Sequence, residues 1–399
     1  MAKRFSTIWA HQYTLFNIKM HLVDITLFYA PESGGVKTYL MAKTKWLSNF
    51  SSLQHSIVVP GLKDVPYDDS VVSIPSVRVP FMRGYRMPRS RKYIASVLSK
   101  LQPDCIEVGD PFQFAWAALE VGRRTNIPVV AFYHSDLPQS IGLRFGKLAE
   151  RAAMKYLSYL YRQFDLVLAP SATMAQKLRD IGVSRARHQP LGVDTSLFSP
   201  AWRNPGLRAR LGLPESARLL VYAGRFTKEK NLPLLIRAVE ELGPPYHLLI
   251  IGSGPALPLS KQVSLMHFQQ DACTLATLMA SCDVLVHPGL QETFGLVVLE
   301  AMACGLPVVG MASGGVAELV DDKTGILVKP GSMEDLAQGI RHVYKKGIAE
   351  LGRNARRKVV QQYDWDHIMP QLMAQYVSLI ASRGQRAASS PAEASFVNH

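Results

Sequence analysis

The sequence lacks the features that would place the chain across a membrane, in an oxidising compartment or around a structural metal. No apolar run approaches the ~18–20 residues needed to span a bilayer. The strongest runs, such as Leu219–Ala223 and Leu248–Ile251, have the length of buried strands. The four cysteines, Cys105, Cys273, Cys282 and Cys304, form no C-x-x-C pair and no histidine cluster accompanies them. Buried free thiols in a reducing compartment are therefore expected, rather than disulfides or zinc. Residues 1–19 carry Lys3, Arg4, His11 and Lys19 and no continuous apolar stretch, so a cleaved signal peptide is not expected. That segment reads as an extension, as an interfacial anchor through Phe5, Ile8, Trp9 and Phe16, or as the result of starting at Met1 rather than Met20.

What is present is a chain of 399 residues, 48% hydrophobic, which is enough to bury two ordinary cores. Strand-like and helix-like segments alternate, which predicts α/β architecture. Strands are expected at Leu22–Tyr29, His55–Pro60, Cys105–Val108, Val129–His134 and Leu166–Ala169, with one long helical stretch around Arg144–Arg162. The pattern restarts at Leu219–Ala223 and runs through Tyr246–Ile251, Ser264–His267, Val284–His287, Val308–Gly310 and Gly325–Val328. Two doubly wound, Rossmann-like units follow from this: an N-terminal domain over 20–200, a proline-interrupted linker over 201–216 and a C-terminal domain over 217–365. A helix over 366–383 is expected to pack back on the first domain, and the Ala- and Ser-rich tail 384–399 to be disordered.

The most informative stretch is His287–Gly305, HPGLQETFGLVVLEAMACG. An apolar strand ends, a polar loop follows and a helix opens near Phe294–Leu296, with Thr293 a candidate N-cap. In open α/β sheets ligands bind beyond the carboxyl ends of the strands, where a helix N-terminus offers free N–H groups to phosphate. Two carboxylates, Glu292 and Glu300, bracket this point with seven residues between them. Their separation suits one acid on a sugar and the other on a ribose, with a diphosphate between. Taken alone, the spacing favours a solvated loop glutamate and a helix-surface glutamate, because chance matches to such a spacing are common.

Context decides between these. ETFGLVVLEAMACGLPVV and the following GGVAELV…GILVKPG resemble the donor-site signature of family 4 retaining glycosyltransferases. So do LGVDTSLFSP (Leu191–Pro200), YAGRFTKEKNLPLLIRAV (Tyr222–Val239), IGSGP (Ile251–Pro255) and APESGGVKTYL (Ala30–Leu40), in the family's order. The resemblance implies the GT-B fold, with the two domains facing an interdomain cleft. It also implies a hexosyltransferase that uses a GDP- or UDP-linked sugar and needs no bound metal or other cofactor. Arg225 and Lys230 match the pair that holds the donor diphosphate. Two fixed cations there would stabilise the charge that builds on the leaving group. Phe294, Gly295 and Leu296 match the backbone N–H donors to the distal phosphate, Glu292 the contact to the hexose and Glu300 the contact to the ribose. His134 matches the position near the reactive sugar. Gly34 and Gly35, and Gly252 and Gly254, match loops that approach the donor, although each pair also reads as a simple turn. Asp110 and Asp136 are cleft or acceptor candidates, and a turn-forming role suits either one as well.

The sequence departs from the family pattern at Gln269–Gln270, where a glycine is common, and at HPGLQE, where Pro-Ser usually precedes the first glutamate. Both departures leave the donor's identity open. No D-x-D motif sits in a loop suited to a donor metal; Asp321–Asp322 reads as a turn.

The formal net charge of +14 favours anionic partners. It concentrates at Val79–Lys92, with Arg83, Arg86, Arg89, Arg91 and Lys92 among Phe81, Tyr85 and Met87, and along Arg144–Arg162. A cytoplasmic enzyme, peripheral on an anionic membrane and acting on a lipid-linked or cell-envelope glycan, is the expectation, against an ordinary solvated basic face. A synthase using a soluble sugar or sugar phosphate is the rival enzyme. A nucleic-acid binder is the rival outside catalysis, but no helix-turn-helix, OB or RRM pattern supports it, so no nucleic-acid partner is expected.

Overall fold

The computed structural model describes residues 19–29, 34–61, 70–78, 85–267 and 271–389. Expectations about residues 1–18, Phe81, Arg83, Gln269–Gln270 and 390–399 lie outside the described residues.

The chain divides into two compact units. The first comprises Met1–Ala169, Ala175–Gln189 and Met369–His399; the second comprises Pro170–Met174 and Pro190–Ile368. In chain order the elements from the first half are β1 (Met20–Ile25), α1 (Gly35–Leu47), β2 (Leu53–Gly61), β3 (Val71–Arg78), β4 (Arg86–Pro88), α2 (Arg91–Leu101), β5 (Cys105–Val108), α3 (Gln113–Thr125), β6 (Val129–Phe132), α4 (Leu137–Phe145), α5 (Lys147–Tyr161), β7 (Leu166–Ala169), α6 (Ala172–Asp180) and β8 (Ala186–His188). The second half adds α7 (Leu207–Arg210), β9 (Arg218–Ala223), α8 (Leu232–Leu242), β10 (Tyr246–Gly252), β11 (Val263–His267), α9 (Ala272–Ala280), β12 (Val284–His287), α10 (Leu296–Ala303), β13 (Val308–Met311), α11 (Val316–Leu319), β14 (Gly325–Val328), α12 (Met333–Lys346), α13 (Ile348–Gln362) and α14 (Trp365–Ser389).

The first sheet has the order β4-β3-β2-β1-β5-β6-β7-β8 and is parallel except for the β3–β4 pair at its edge. The second has the order β11-β10-β9-β12-β13-β14 and is parallel throughout. Strands β5, β6, β7 and β12 are buried at every position, as expected of parallel strands covered on both faces. Helix α8 presents Leu232, Leu235, Ile236 and Val239 to a core that includes Leu220, Leu248, Ile250 and Val286. Helix starts are set locally. Ser90 Oγ accepts the Tyr93 N–H at 3.2 Å, and Ser332 Oγ accepts the Asp335 N–H at 2.9 Å.

Four expectations change; among them, residues 384–389 of the expected disordered tail continue helix α14 to Ser389. Residues 190–200, expected in the first domain, and 201–216, expected as a linker, both belong to the second unit: Val193 N–H donates to Tyr363 O at 2.8 Å, Asn204 N–H to Ser281 Oγ at 2.9 Å and Arg208 to Asp283 at 2.6 Å. The stretch Arg144–Arg162 is two helices, α4 and α5, divided at Gly146. Cys273 is exposed, unlike the other three thiols, because it lies in the first turn of α9.

Inside the first unit an ionic cluster is fully enclosed. Lys43 Nζ, on α1, lies 2.9 Å from Asp24 on β1 and 3.2 Å from Glu107 on β5. His55 bonds the other side of Asp24. The hydroxyls of Tyr39 and of Tyr376, on α14, donate to Glu107. Burial pushes the Glu107 pKa up to about 7 against the pull of Lys43. At Asp24 burial is overridden by Lys43 and then His55, which hold the carboxyl below its ordinary range. Lys43→Met removes the one ammonium facing both acids and should cost about 3–5 kcal/mol, read as a loss of denaturation midpoint. A midpoint unchanged from the parent would show that the cluster is energetically idle.

Candidate active site

The order of the second sheet reverses between β9 and β12, so the loops following these strands flank the topological switch point, where doubly wound folds bind ligands. The loop after β9 carries Arg225 and Lys230. Tyr222 OH donates to Arg225 O at 3.0 Å and fixes its path. Arg225 is exposed and makes no ion pair among the described residues. Lys230 reaches the loop after β12 and pairs with Glu292 Oε2, and His287 Nε2 lies 3.2 Å from the same oxygen. Burial would raise the Glu292 pKa, but the Lys230 ammonium and then His287 override it and hold the carboxyl well below the usual carboxylate range. Glu292 therefore stays an acceptor across the physiological range.

Helix α10 starts at Leu296, three residues after Thr293. Its N-cap is Gly295, with φ of +102° and no capping side chain. This corrects the assignment of Thr293 as N-cap. The left-handed conformation is one that glycine adopts without strain. An uncapped helix start beside Lys230 and Glu292 leaves N–H groups at Phe294, Gly295 and Leu296 suited to an anion. The segment behind them is clamped. Gly315 N–H donates to Glu292 O at 2.8 Å, and Ser313 Oγ donates to Leu290 O at 2.7 Å. A Cβ on Gly314 would lie 2.4 Å from Glu292 O, and one on Gly315 2.4 Å from Phe294 Cα, so only glycine permits this approach. Glu300, on α10, is half-buried, and burial alone pushes its pKa up to about 7.

The glycines at and just after the end of β10 pack closely against the neighbouring strand-end loop. A Cβ on Gly252 would strike Gly224 O at 1.9 Å, and one on Gly254 would strike Phe226 Cβ at 2.4 Å. The neighbouring strand-end loop occupies that space, and this packing accounts for both glycines without a ligand.

In the first unit the switch point falls between β1 and β5. Asp110 follows β5, is buried, and accepts the Leu27 N–H at 2.7 Å and the Phe112 N–H at 3.1 Å. Asp136 caps α4, accepts the Tyr133 hydroxyl at 2.9 Å and pairs with Lys177. Both carboxylates thus tie loops together, the turn-forming alternative to an acceptor contact. His134 follows β6 and stacks on Phe132 at 4.4 Å; enclosure pushes its pKa down to about 3, so the ring is neutral at physiological pH. Gly34 is the N-cap of α1 without a side-chain cap, Gly35 is its first residue, and a Cβ on Gly34 would meet nothing within 4 Å.

Two features escaped the sequence reading. Two of the three clamp residues, Gly314 and Gly315, open the GGVAELV segment, whose double glycine is the available signal, and Ser313 directly precedes it. His287 was visible only as the last residue of a strand.

Residues 33–197 match the model of Glycosyltransferase Family 4, and residues 204–361 that of Glycosyl transferases group 1. A GDP-mannose-dependent alpha-mannosyltransferase of Mycolicibacterium smegmatis is 30% identical over 79% of this chain and 84% of its own length. A GDP-mannose-dependent alpha-(1-6)-phosphatidylinositol dimannoside mannosyltransferase of Mycobacterium tuberculosis is 28% identical over 89% of this chain and 95% of its own. A sulfoquinovosyl transferase of Arabidopsis thaliana is 32% identical over 68% of this chain, which spans 56% of that protein. Among solved structures, sucrose-phosphate synthase from Thermosynechococcus elongatus superposes with a TM-score of 0.77 at 23% identity, covering 91% of this chain and all of the other. Two Rossmann-like units of the GT-B class, with these relatives, define a hexosyltransferase that uses a nucleotide sugar. The chain belongs to glycosyltransferase family 4.

The raised pKa of Glu300 has a signed consequence. Below the ordinary carboxylate pKa both folded and unfolded chains hold the proton and nothing is lost. As pH rises towards about 7 the unfolded chain ionises first and stability falls; above that the full cost is present. Glu300→Gln should therefore raise Tm at pH 8 by on the order of 3–5 °C and change it little at pH 4.5. An equal shift at both pH values would mean that the carboxyl titrates normally.

Proposed function

We propose that the enzyme moves a mannose- or glucose-type hexose from a GDP- or UDP-linked donor to a hydroxyl of a lipid-linked or cell-envelope glycan, with retention at the anomeric carbon. The observation that carries this reading is the pairing of Lys230 with Glu292 at the switch point of the second sheet. Each is the natural partner for one end of a sugar diphosphate: the ammonium for the phosphates, the carboxylate for the hexose hydroxyls. A donor replaces their mutual bond with one bond to each.

In this reading Arg225 and Lys230 grip the diphosphate together with the N–H groups of Phe294, Gly295 and Leu296. Glu300 accepts a hydrogen bond from a ribose hydroxyl. As the anomeric C–O bond breaks, charge moves onto the diphosphate, where the two cations stabilise it most. The acceptor oxygen bonds to the same face of the sugar and passes its proton to the departing phosphate oxygen. His134, neutral, hydrogen-bonds the transferred sugar. The cations carry the charge neutralisation, and the reading calls on no metal. The names of the mannosyltransferase relatives favour GDP-mannose as the first donor to try, and the phosphatidylinositol dimannoside enzyme favours a glycolipid acceptor.

The membrane reading rests on the corner between α4 and α5. Leu143, Phe145 and Leu148 are 58%, 67% and 80% exposed, far from the usual fate of large apolar side chains. Arg144, Lys147, Arg151 and Lys155 are exposed beside them, and Glu150 is the one acid in the two helices. Such a mixture suits the headgroup boundary of an anionic leaflet, with the enzyme peripheral on the cytoplasmic face. No helix among the described residues is long and apolar enough to cross a membrane.

GDP or UDP should raise the melting temperature by an amount that grows with the logarithm of saturation. Arg225→Ala or Lys230→Ala should abolish that shift and lower turnover by about 10²–10³-fold or more. Unchanged turnover in either variant refutes the leaving-group role. Nucleoside diphosphate release with a glycolipid but not a hexose phosphate separates this enzyme from a soluble-acceptor synthase. For the corner, co-sedimentation with phosphatidylglycerol-containing vesicles at low salt should fall roughly tenfold or more when Lys147 and Arg151 are both changed to Glu. Equal sedimentation of parent and variant would leave the corner an ordinary solvated surface.

A further inference from the structure

His287 lies at the end of β12 and is 1% exposed. Its Nε2 sits 3.2 Å from Glu292 Oε2. An ionised carboxylate only accepts, so Nε2 carries the hydrogen and donates. Nδ1 is buried and has no hydrogen-bond partner among the described residues. A buried ring nitrogen left unpaired is unfavourable, and an apolar residue at this strand end would avoid it. The bond to Glu292 is what the imidazole offers in return.

A second observation involves Gly289, two residues on. A Cβ there would lie 2.9 Å from His287 Cε1, 3.4 Å from Glu229 O and 3.5 Å from Lys230 Cδ. Cε1 is the ring atom bonded to both nitrogens, so any side chain at 289 presses on the edge of the imidazole. The ring is enclosed, and its relief is to swing away from Glu292. The departure HPG from the more frequent Pro-Ser thus makes room for a histidine that the same departure supplies.

We infer that His287 is a positioning residue for the donor sugar and that Gly289 is its steric complement. The inference rests on the reading of Glu292 as the hexose contact. When the diphosphate takes Lys230, Glu292 Oε2 loses its cation. His287 remains as the donor that keeps this oxygen in place, so that Oε1 faces the sugar hydroxyls. The pair acts on the sugar end of the donor and leaves the diphosphate grip to Arg225, Lys230 and the start of α10.

The test is a double-mutant cycle on the full chain, using GDP-mannose and UDP-glucose as donors and GDP and UDP as sugar-free probes. His287→Ala should lower kcat/KM by about 10–100-fold, while affinity for GDP or UDP stays within about twofold of the parent. His287→Gln, whose amide nitrogen takes the place of Nε2, should recover most of that loss. Gly289→Ala should cost about tenfold in the parent and less than about twofold in the His287→Ala background, because the ring it displaces is already gone. Melting curves on each variant separate these effects from unfolding, and Gly289→Ala keeps the test open if His287→Ala folds poorly. The inference is overturned if Glu292→Ala abolishes turnover while His287→Ala and Gly289→Ala keep it, if the two losses simply add, or if nucleoside diphosphate affinity falls as far as kcat/KM. Should Glu292→Ala itself retain full turnover, the hexose-contact reading fails and this inference goes with it.

Discussion

The proposed chemistry depends on one ion pair held where a parallel sheet reverses its order. Lys230 and Glu292 come from loops after two adjacent strands, β9 and β12, 62 residues apart in sequence. Lys230 closes a single 3-10 turn, Lys228–Lys230, and Glu292 lies in an irregular loop, yet both are fixed: the first by the Tyr222 hydroxyl, the second by Ser313 and the two glycines after it. The pair keeps a carboxylate ionised in a partly enclosed place where burial alone would protonate it. In the proposed role, a site that accepts hydrogen bonds from sugar hydroxyls and also holds a diphosphate needs both signs of charge at close quarters, and this pair brings both together.

Pre-organisation extends outward from it. Glycines at 314 and 315 allow the following loop to lie against the backbone of Glu292 and Phe294, so the start of α10 and the acidic loop move as one piece. The two acids of the motif then sit in opposite electrostatic settings. Glu292 faces a cation, whereas Glu300 faces only its own desolvation. The first is ready to accept at any physiological pH. The second is balanced near neutrality and gains from any ligand hydroxyl that replaces lost water.

How much of this was legible in the sequence follows from how local each feature is. The strand before His287, the loop and the helix from Leu296 form one contiguous run, and the sequence shows them directly. Arg225 and Lys230 were found through the resemblance, since a loop cation has no periodicity to mark it. For Gly252 and Gly254 the sequence leaves both a donor contact and a packed turn open, because a strand-end glycine looks the same in either case; in the structure Gly224 and Phe226 lie against them. His287 was missed for the converse reason: its partner lies five residues on, and only the curl of the loop brings them together. In the cluster of Asp24, Lys43, Glu107 and Tyr376, Lys43 and Tyr376 alone are 333 residues apart, and no window of sequence contains it.

That span has a bearing on biosynthesis. The first unit opens with β1 near the beginning of the chain, but Tyr376 on its final helix donates to Glu107 and accepts from Lys43. A ribosome delivers the sheet long before it delivers that tyrosine. Until then Glu107 lacks one of its donors, and the apolar face that covers α14 residues such as Leu372 and Met373 is without its lid. The half of the enzyme made first is thus among the last parts to be finished. A nascent chain holds an incomplete charge cluster through the synthesis of the entire second unit, and only the closing residues seal it.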